Sequence, residues 1–157
     1  MTSSLQELGL SVKRLQMRHH RAINAELATL EISLVQWDAL RHLRRNPDAS
    51  LHDLAKLTFQ TDQSFGALAT RMISRGLIER VPGPGRAIRH RLTEKGDRLR
   101  EAGSEIFDRV LADSFSPLTP AQQETFGALL RLLLARPDGD LARPDGDHVG
   151  AATGDSA

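Results

Sequence analysis

Apolar residues recur every three or four positions from Leu5 to Leu30, at Leu5, Leu8, Val12, Leu15, Ile23 and Leu27, with His19 filling the one gap. This spacing predicts one face of a long amphipathic helix. Ser33 is placed to cap a second helix running to about Arg45, with Leu34, Trp37, Leu40 and Leu43 as its apolar side. Asn46-Pro47-Asp48 ends that helix, because proline cannot continue the hydrogen-bond ladder. Ser50 with Asp53 three residues on then opens a two-turn helix over Leu51, Leu54, Ala55 and Leu57. After the break at Thr58-Phe59-Gln60, Thr61 caps a helix from Asp62 to Arg75. Phe65, Leu68, Ala69 and Met72 form its apolar face, and Gln63, Ala67, Thr70, Arg71 and Ser74 lie opposite.

Gly76 sits where a helix end needs a left-handed residue. Beyond it the period shortens: Leu77 to Val81 and Ile88 to Leu92 read as two strands of a hairpin around Pro82-Gly83-Pro84-Gly85-Arg86-Ala87. A helix follows from Thr93-Glu94, with Leu99, Ala102, Ile106 and Val110 on one stripe. Ser116-Pro117-Leu118 breaks it, and Thr119-Pro120 starts a last helix bearing Phe126, Leu129, Leu130 and Leu133. Leu132 and Leu134 widen this stripe beyond what a solvent-facing helix carries, which calls for a partner. The tail, residues 136–157, repeats Ala-Arg-Pro-Asp-Gly-Asp and is expected to be disordered.

The length, 157 residues, suits one modest core. No apolar run is long enough to span a membrane, and the start lacks a secretory signal, so a cytoplasmic protein is expected. Without cysteine there is no disulfide, thiolate metal site or thiol switch. The formal net charge of +1 conceals an asymmetry: residues 1–135 carry 19 basic and 15 acidic side chains, the tail two and five. Between Arg71 and Arg91 six arginines face a single carboxylate, Glu79, a local concentration that suits an anionic partner.

This order of elements is a helix-turn-helix followed by a wing, a mainly α fold with one small β-hairpin. With Leu54-Ala55, Arg71-Met72, Arg75-Gly76-Leu77-Ile78-Glu79-Arg80 and Leu92-Thr93-Glu94-Lys95-Gly96, it resembles the MarR family of winged-helix transcriptional regulators over roughly Leu5 to Ala135. The resemblance implies dimerisation through residues 1–30 and 94–135, a DNA-binding region over 33–93, and a homodimeric, ligand-responsive repressor on a pseudo-palindromic operator. The helix at 62–75 would enter the major groove of double-stranded DNA and the wing at 81–88 the minor groove. Two features depart from the family pattern: Pro84 stands where an aspartate usually steadies the wing arginine, and Gly66-Ala67 offers no donors to base edges.

The candidate DNA-binding residues are then Gln63, Ser64, Ala67, Thr70, Arg71, Arg86, Arg89 and Arg91. Arg86, at the tip, is the foremost of them. Arg71 suits either base reading or an internal salt bridge; Arg89 and Arg91 share one hairpin face, suited equally to phosphate contact or plain solvation. His19, His20, Arg14, Arg18 and Trp37 lie where the family commonly binds small aromatic or phenolic effectors, although His19 and Trp37 fit a packing role as well. No metal or cofactor site and no catalytic constellation is expected. The alternative is a winged helix that contacts proteins in place of DNA.

Overall fold

A computed structural model of the chain describes residues 4–85 and 87–135. In order, the elements are α1 (Leu5–Leu27), a short 3-10 turn (Ala28–Leu30), α2 (Leu34–Arg45), α3 (Leu51–Leu57), α4 (Asp62–Ser74), β1 (Ile78–Pro82), β2 (Ile88–Leu92), α5 (Glu94–Phe115) and α6 (Pro120–Leu134). The expected disordered tail lies outside the described residues.

Helix starts follow side-chain chemistry. Ser33 and Gln36 form a reciprocal capping box at α2, Ser50 and Asp53 do the same at α3, and Thr119 and Gln122 at α6. Thr61 accepts from the Ser64 N–H at the start of α4. Ser4 and Glu7 close a further box at α1. Gly76, at φ +69°, ends the α4 segment as its position suggested.

The chain divides into two compact units after Phe115. In the first, Ile23 and Leu27 of α1, Trp37, Leu40 and Leu43 of α2, Leu54, Phe65, Leu68 and Met72 of the helix-turn-helix, and Leu77 and Ile106 form one buried core. The long helix α5 packs on α1, α2 and β2 and so belongs to this unit. The first half of α1 is different: Leu5, Leu8 and Val12 of its stripe are exposed. In the second unit α6 buries no residue, and Leu129, Leu132, Leu133 and Leu134 are exposed.

The hairpin is antiparallel, with Ile78 opposite Leu92, Arg80 opposite His90 and Pro82 opposite Ile88 on its inner face. Two joints tie α5 to the rest of this unit. At the first, Thr93 donates its N–H and hydroxyl to the Leu77 carbonyl (both 3.1 Å), and its hydroxyl also lies 2.6 Å from the Gly76 carbonyl. Lys95 donates to the Arg75 carbonyl at 3.0 Å, and Gly96 packs so closely that a Cβ there would lie 1.9 Å from the Leu77 oxygen. This accounts for Leu-Thr-x-x-Gly: threonine ties the strand, and glycine lets α5 lie against it. At the second joint Trp37 stacks on Phe107 at 4.6 Å, donates its indole N–H to the Arg100 carbonyl at 3.1 Å, and fills the notch left by Gly103.

Gly96→Ala should therefore destabilise the fold by about 2 kcal/mol, since neither backbone segment can retreat without breaking its bonds. Urea denaturation checks this, and an unchanged midpoint would contradict the contact.

Candidate nucleic-acid interface

Helix α4 buries Phe65, Leu68, Ala69 and Met72, which leaves Gln63, Ser64, Ala67, Thr70 and Arg71 exposed on one face. The hydroxyls there are partly engaged: Thr61 donates to Ser64 at 3.0 Å and Thr70 to the Gly66 carbonyl at 3.0 Å. Gln63 and Arg71 have no side-chain partner among the described residues, so the internal salt bridge considered for Arg71 does not form.

The hairpin sorts its arginines by strand alternation. On the outer face Arg91 donates twice to Glu79, at 2.7 and 2.9 Å, so the one carboxylate of the segment is taken. Arg89, on that same face opposite Val81, makes only a long 3.4 Å contact to the Ile88 carbonyl. Arg75 turns inward to Gln36. At the tip, the Gly83 N–H donates to the Ala87 carbonyl at 2.8 Å and the Ala87 N–H to the Pro84 carbonyl at 3.2 Å, with Gly85 at φ +63°. Backbone bonds and a left-handed glycine thus shape the wing where the aspartate is missing. Arg86, the foremost candidate, lies outside the described residues.

The five effector candidates do not converge. His20 and Trp37 line a cavity of about 990 Å³ together with Arg41, Arg45, Phe59 and Arg100. His19 turns instead to α5, bonded to Ser114 at 2.7 Å and edge-on to Phe115. Arg18 reaches the same serine, and with Arg14 it lines a separate shallow groove on α1. The physical reason is helical: adjacent residues on α1 diverge by about 100°, so His19 and His20 face different neighbours. Trp37 is 5% exposed and its indole N–H is already committed, so it offers the cavity only ring surface.

Cavity residues missed by the sequence reading are Arg41, Arg45, Phe59 and Arg100. Arg41 pairs with Asp38 at 2.7 Å and lies over the Trp37 ring, and Arg100 pairs with Asp97 at 2.7 Å. Arg45 has no ion-pair partner among the described residues, so it is the cation left for an acidic guest. Phe59 is 90% exposed and held at φ +55°, an unusual backbone state for a bulky residue. Only the clustering of Arg41, Arg44 and Arg45 at the end of α2 hinted at this site. Among the described residues no three potential ligands come together as a metal site, and no helix is long and apolar enough to cross a membrane.

Residues 30–87 match the model of the MarR family. The chain is similar in fold to a mutant of Escherichia coli MarR complexed with operator DNA, at 22% identity and a TM-score of 0.74, over 84% of this chain and 99% of that one. A Staphylococcus aureus MepR–DNA complex is similar at 21% identity and TM-score 0.71, over 84% and 95% of the two chains. A Mycobacterium tuberculosis MarR family protein in complex with salicylic acid gives 24% and 0.68, over 84% and 97%. Curated protein sequences give no match. The shared fold thus covers 84% of this chain, well beyond the segment matched by the family model.

Three histidines of this MarR fold are held below the usual histidine pKa, mainly because burial disfavours the charged ring. Arg18 reinforces this at His19 and Arg80 at His90; at His42 Asp38 opposes it, while Arg41 and Arg45 add to it. The unfolded chain therefore takes up protons that the folded chain refuses. Stability should be fullest above about pH 6.5 and decline as pH falls through that value. The check is the urea midpoint between pH 7.5 and 5.5; a midpoint that rises on acidification contradicts the assignment.

Proposed function

We propose that the protein is a homodimeric, ligand-responsive DNA-binding regulator that represses transcription from a pseudo-palindromic operator. The observation that carries this reading is the outward face of α4, with Gln63, Thr70 and the unpaired Arg71, beside a hairpin whose basic charge exceeds its single carboxylate. An α-helix fits the major groove, and a basic wing suits the narrower groove next to it. The DNA complexes of the similar E. coli and S. aureus structures support the same use of the fold. The exposed leucines of α1 and α6 supply the apolar area that a second copy would cover.

The cavity beside Trp37 is the proposed effector site. Ring surface from Trp37, Phe59 and Phe107 with the free Arg45 guanidinium suits a small aromatic acid, the class of ligand in the similar M. tuberculosis complex. His20 closes one side; its ring lies 2.9 Å from the Asn24 amide nitrogen, and Asn24 in turn accepts from the Leu34 N–H at 2.8 Å.

Selection of bound fragments from random DNA should yield a two-fold half-site pattern. Affinity should fall steeply with salt, and Arg71→Ala or Arg86→Ala should each weaken binding about tenfold while lowering the salt slope by about one per site. Binding that ignores both salt and these substitutions, alongside a stable protein partner, would favour the interaction-module alternative suggested by Gly66-Ala67. Salicylate should perturb the emission of Trp37, the only tryptophan, and release the DNA; Arg45→Ala should weaken salicylate by about tenfold and leave DNA binding of the free protein intact. An emission unchanged at millimolar salicylate would remove the effector assignment.

A further inference from the structure

A second polar feature lies on the other side of the helix-turn-helix, in the cleft between α4 and the wing. Strand register puts Arg80 and His90 side by side on the inner face of the hairpin. A cavity of about 240 Å³ opens there, lined by Gly66, Ala69 and Thr70 of α4 and by Arg80, Ile88 and His90 of the wing.

Three observations mark this cleft as built for a guest. His90 is 5% exposed, the one buried polar side chain among the described residues, and its Nδ1 has no hydrogen-bond partner. Leaving such a nitrogen unpaired costs free energy that the fold recovers only if something supplies the bond. Arg80 is exposed and has no ion-pair partner among the described residues, because alternation turns Glu79 to the opposite face and Arg91 holds it there. Gly66 sits inside α4 with no atom within 4 Å of where a Cβ would project. A packing demand therefore does not explain the glycine, which weakens the helix relative to alanine; it leaves the helix backbone bare along the cleft.

We infer that this cleft seats one backbone phosphate of the bound DNA, with Arg80 supplying charge and the His90 ring, turned so that its shielded Nδ1–H meets the cleft, a hydrogen bond. This rests on the DNA-binding reading above. A helix in the major groove and a wing in the adjacent minor groove straddle the sugar-phosphate strand that separates the two grooves, so a phosphate must pass between them. The cleft lies on that path. Burial, and after it the neighbouring Arg80, lower the His90 pKa below the usual histidine value, which favours a directional hydrogen bond over a charge. Arg80 and His90 thus add a register-fixing contact to the residues that face the bases.

The test uses the full chain and an operator fragment obtained by selection, in a series with single phosphates replaced by neutral methylphosphonate. One position in each half-site should cost the wild type about tenfold or more, and should cost Arg80→Ala and His90→Leu less than about twofold. Arg80→Ala should lower the salt slope by about one per site, whereas His90→Leu should weaken binding at an unchanged slope. His90→Asn, which returns an N–H near the Nδ1 position, should recover most of the loss. Should His90→Leu fail to fold, exposed Arg80 still carries the phosphate cycle. Variants that bind as the wild type does, or that share its losses at every methylphosphonate, overturn the inference and leave the DNA-binding reading intact. So does saturation of the His90 ring resonances by inorganic phosphate with no methylphosphonate effect, which would make the cleft a free-anion site. Failure of the wild type to bind any DNA at low salt overturns both.

Discussion

The contact between Gly96 and the Leu77 carbonyl is the constraint on which the arrangement of helix and wing depends. It places the first turn of α5 directly on the start of β1, and Thr93 and Lys95 then bond the carbonyls of Leu77 and Arg75. Those carbonyls belong to the end of α4 and the residues just after it, where the helix leaves orphan acceptors. One short segment therefore caps α4, starts the hairpin and launches α5. The angle between α4 and the wing is set by backbone contacts, which leaves the outward side chains of both free for other work. The cleft between them, with its bare Gly66 and orphan His90, is a product of the same joint.

The charge of this region is sorted by its partners more than by its total. Of the arginines from position 71 to 91, Arg91 neutralises Glu79 and Arg75 ties α4 to α2 through Gln36. Arg71, Arg80 and Arg89 remain without ion pairs among the described residues, the first on the helix face, the second on the inner face of the wing and the third on its outer face. Formal counting cannot separate these roles, because an exposed paired arginine and an exposed free one are the same letter. The difference lies in what a DNA strand would gain: a free guanidinium releases counterions on meeting phosphate, while a paired one must first give up a carboxylate.

Much of the fold was legible because its boundaries are written in local chemistry. Ser33, Ser50, Thr61 and Thr119 cap where their spacing to Gln36, Asp53, Ser64 and Gln122 suggested, and Gly76 adopts the left-handed state that glycine favours. The α4 face followed from a period of 3.6. What stayed hidden is non-local or conformationally atypical. The cavity gathers Arg41 and Arg45 from α2 with Arg100 and Phe107 from α5, residues that the packing of Trp37 against α5 brings together. Phe59 at positive φ could not be foreseen, since phenylalanine carries none of glycine's freedom. The apolar stripe of α1 was correct as a pattern, yet periodicity does not say that Ile23 and Leu27 are covered within the chain while Leu5, Leu8 and Val12 are not. For the wing, the missing aspartate raised a question of shape that Gly83, Gly85 and the Pro84 carbonyl answer through the backbone.

The position of Phe59 gives the proposed regulation a physical route. Its N–H donates to the Lys56 carbonyl, Gln60 donates to Ala55, and Thr61, the next residue, caps α4. The exposed ring at the cavity rim is thus two residues from the N-cap of α4. A left-handed phenylalanine is costly to hold, and its ring is left largely in water, so the turn has little to lose by rearranging. A ligand changes DNA affinity only if it binds one arrangement of this turn better than another. An aromatic acid stacked against Trp37 and Phe107 would gain the Phe59 ring as a third apolar wall only in an arrangement that draws the ring inward. That movement would pull on the residue preceding the α4 cap while the other end of α4 stays pinned by Lys95 and Thr93. The helix would then respond by a change of angle about a fixed C-terminal end, which alters its fit to the major groove without requiring the core to repack.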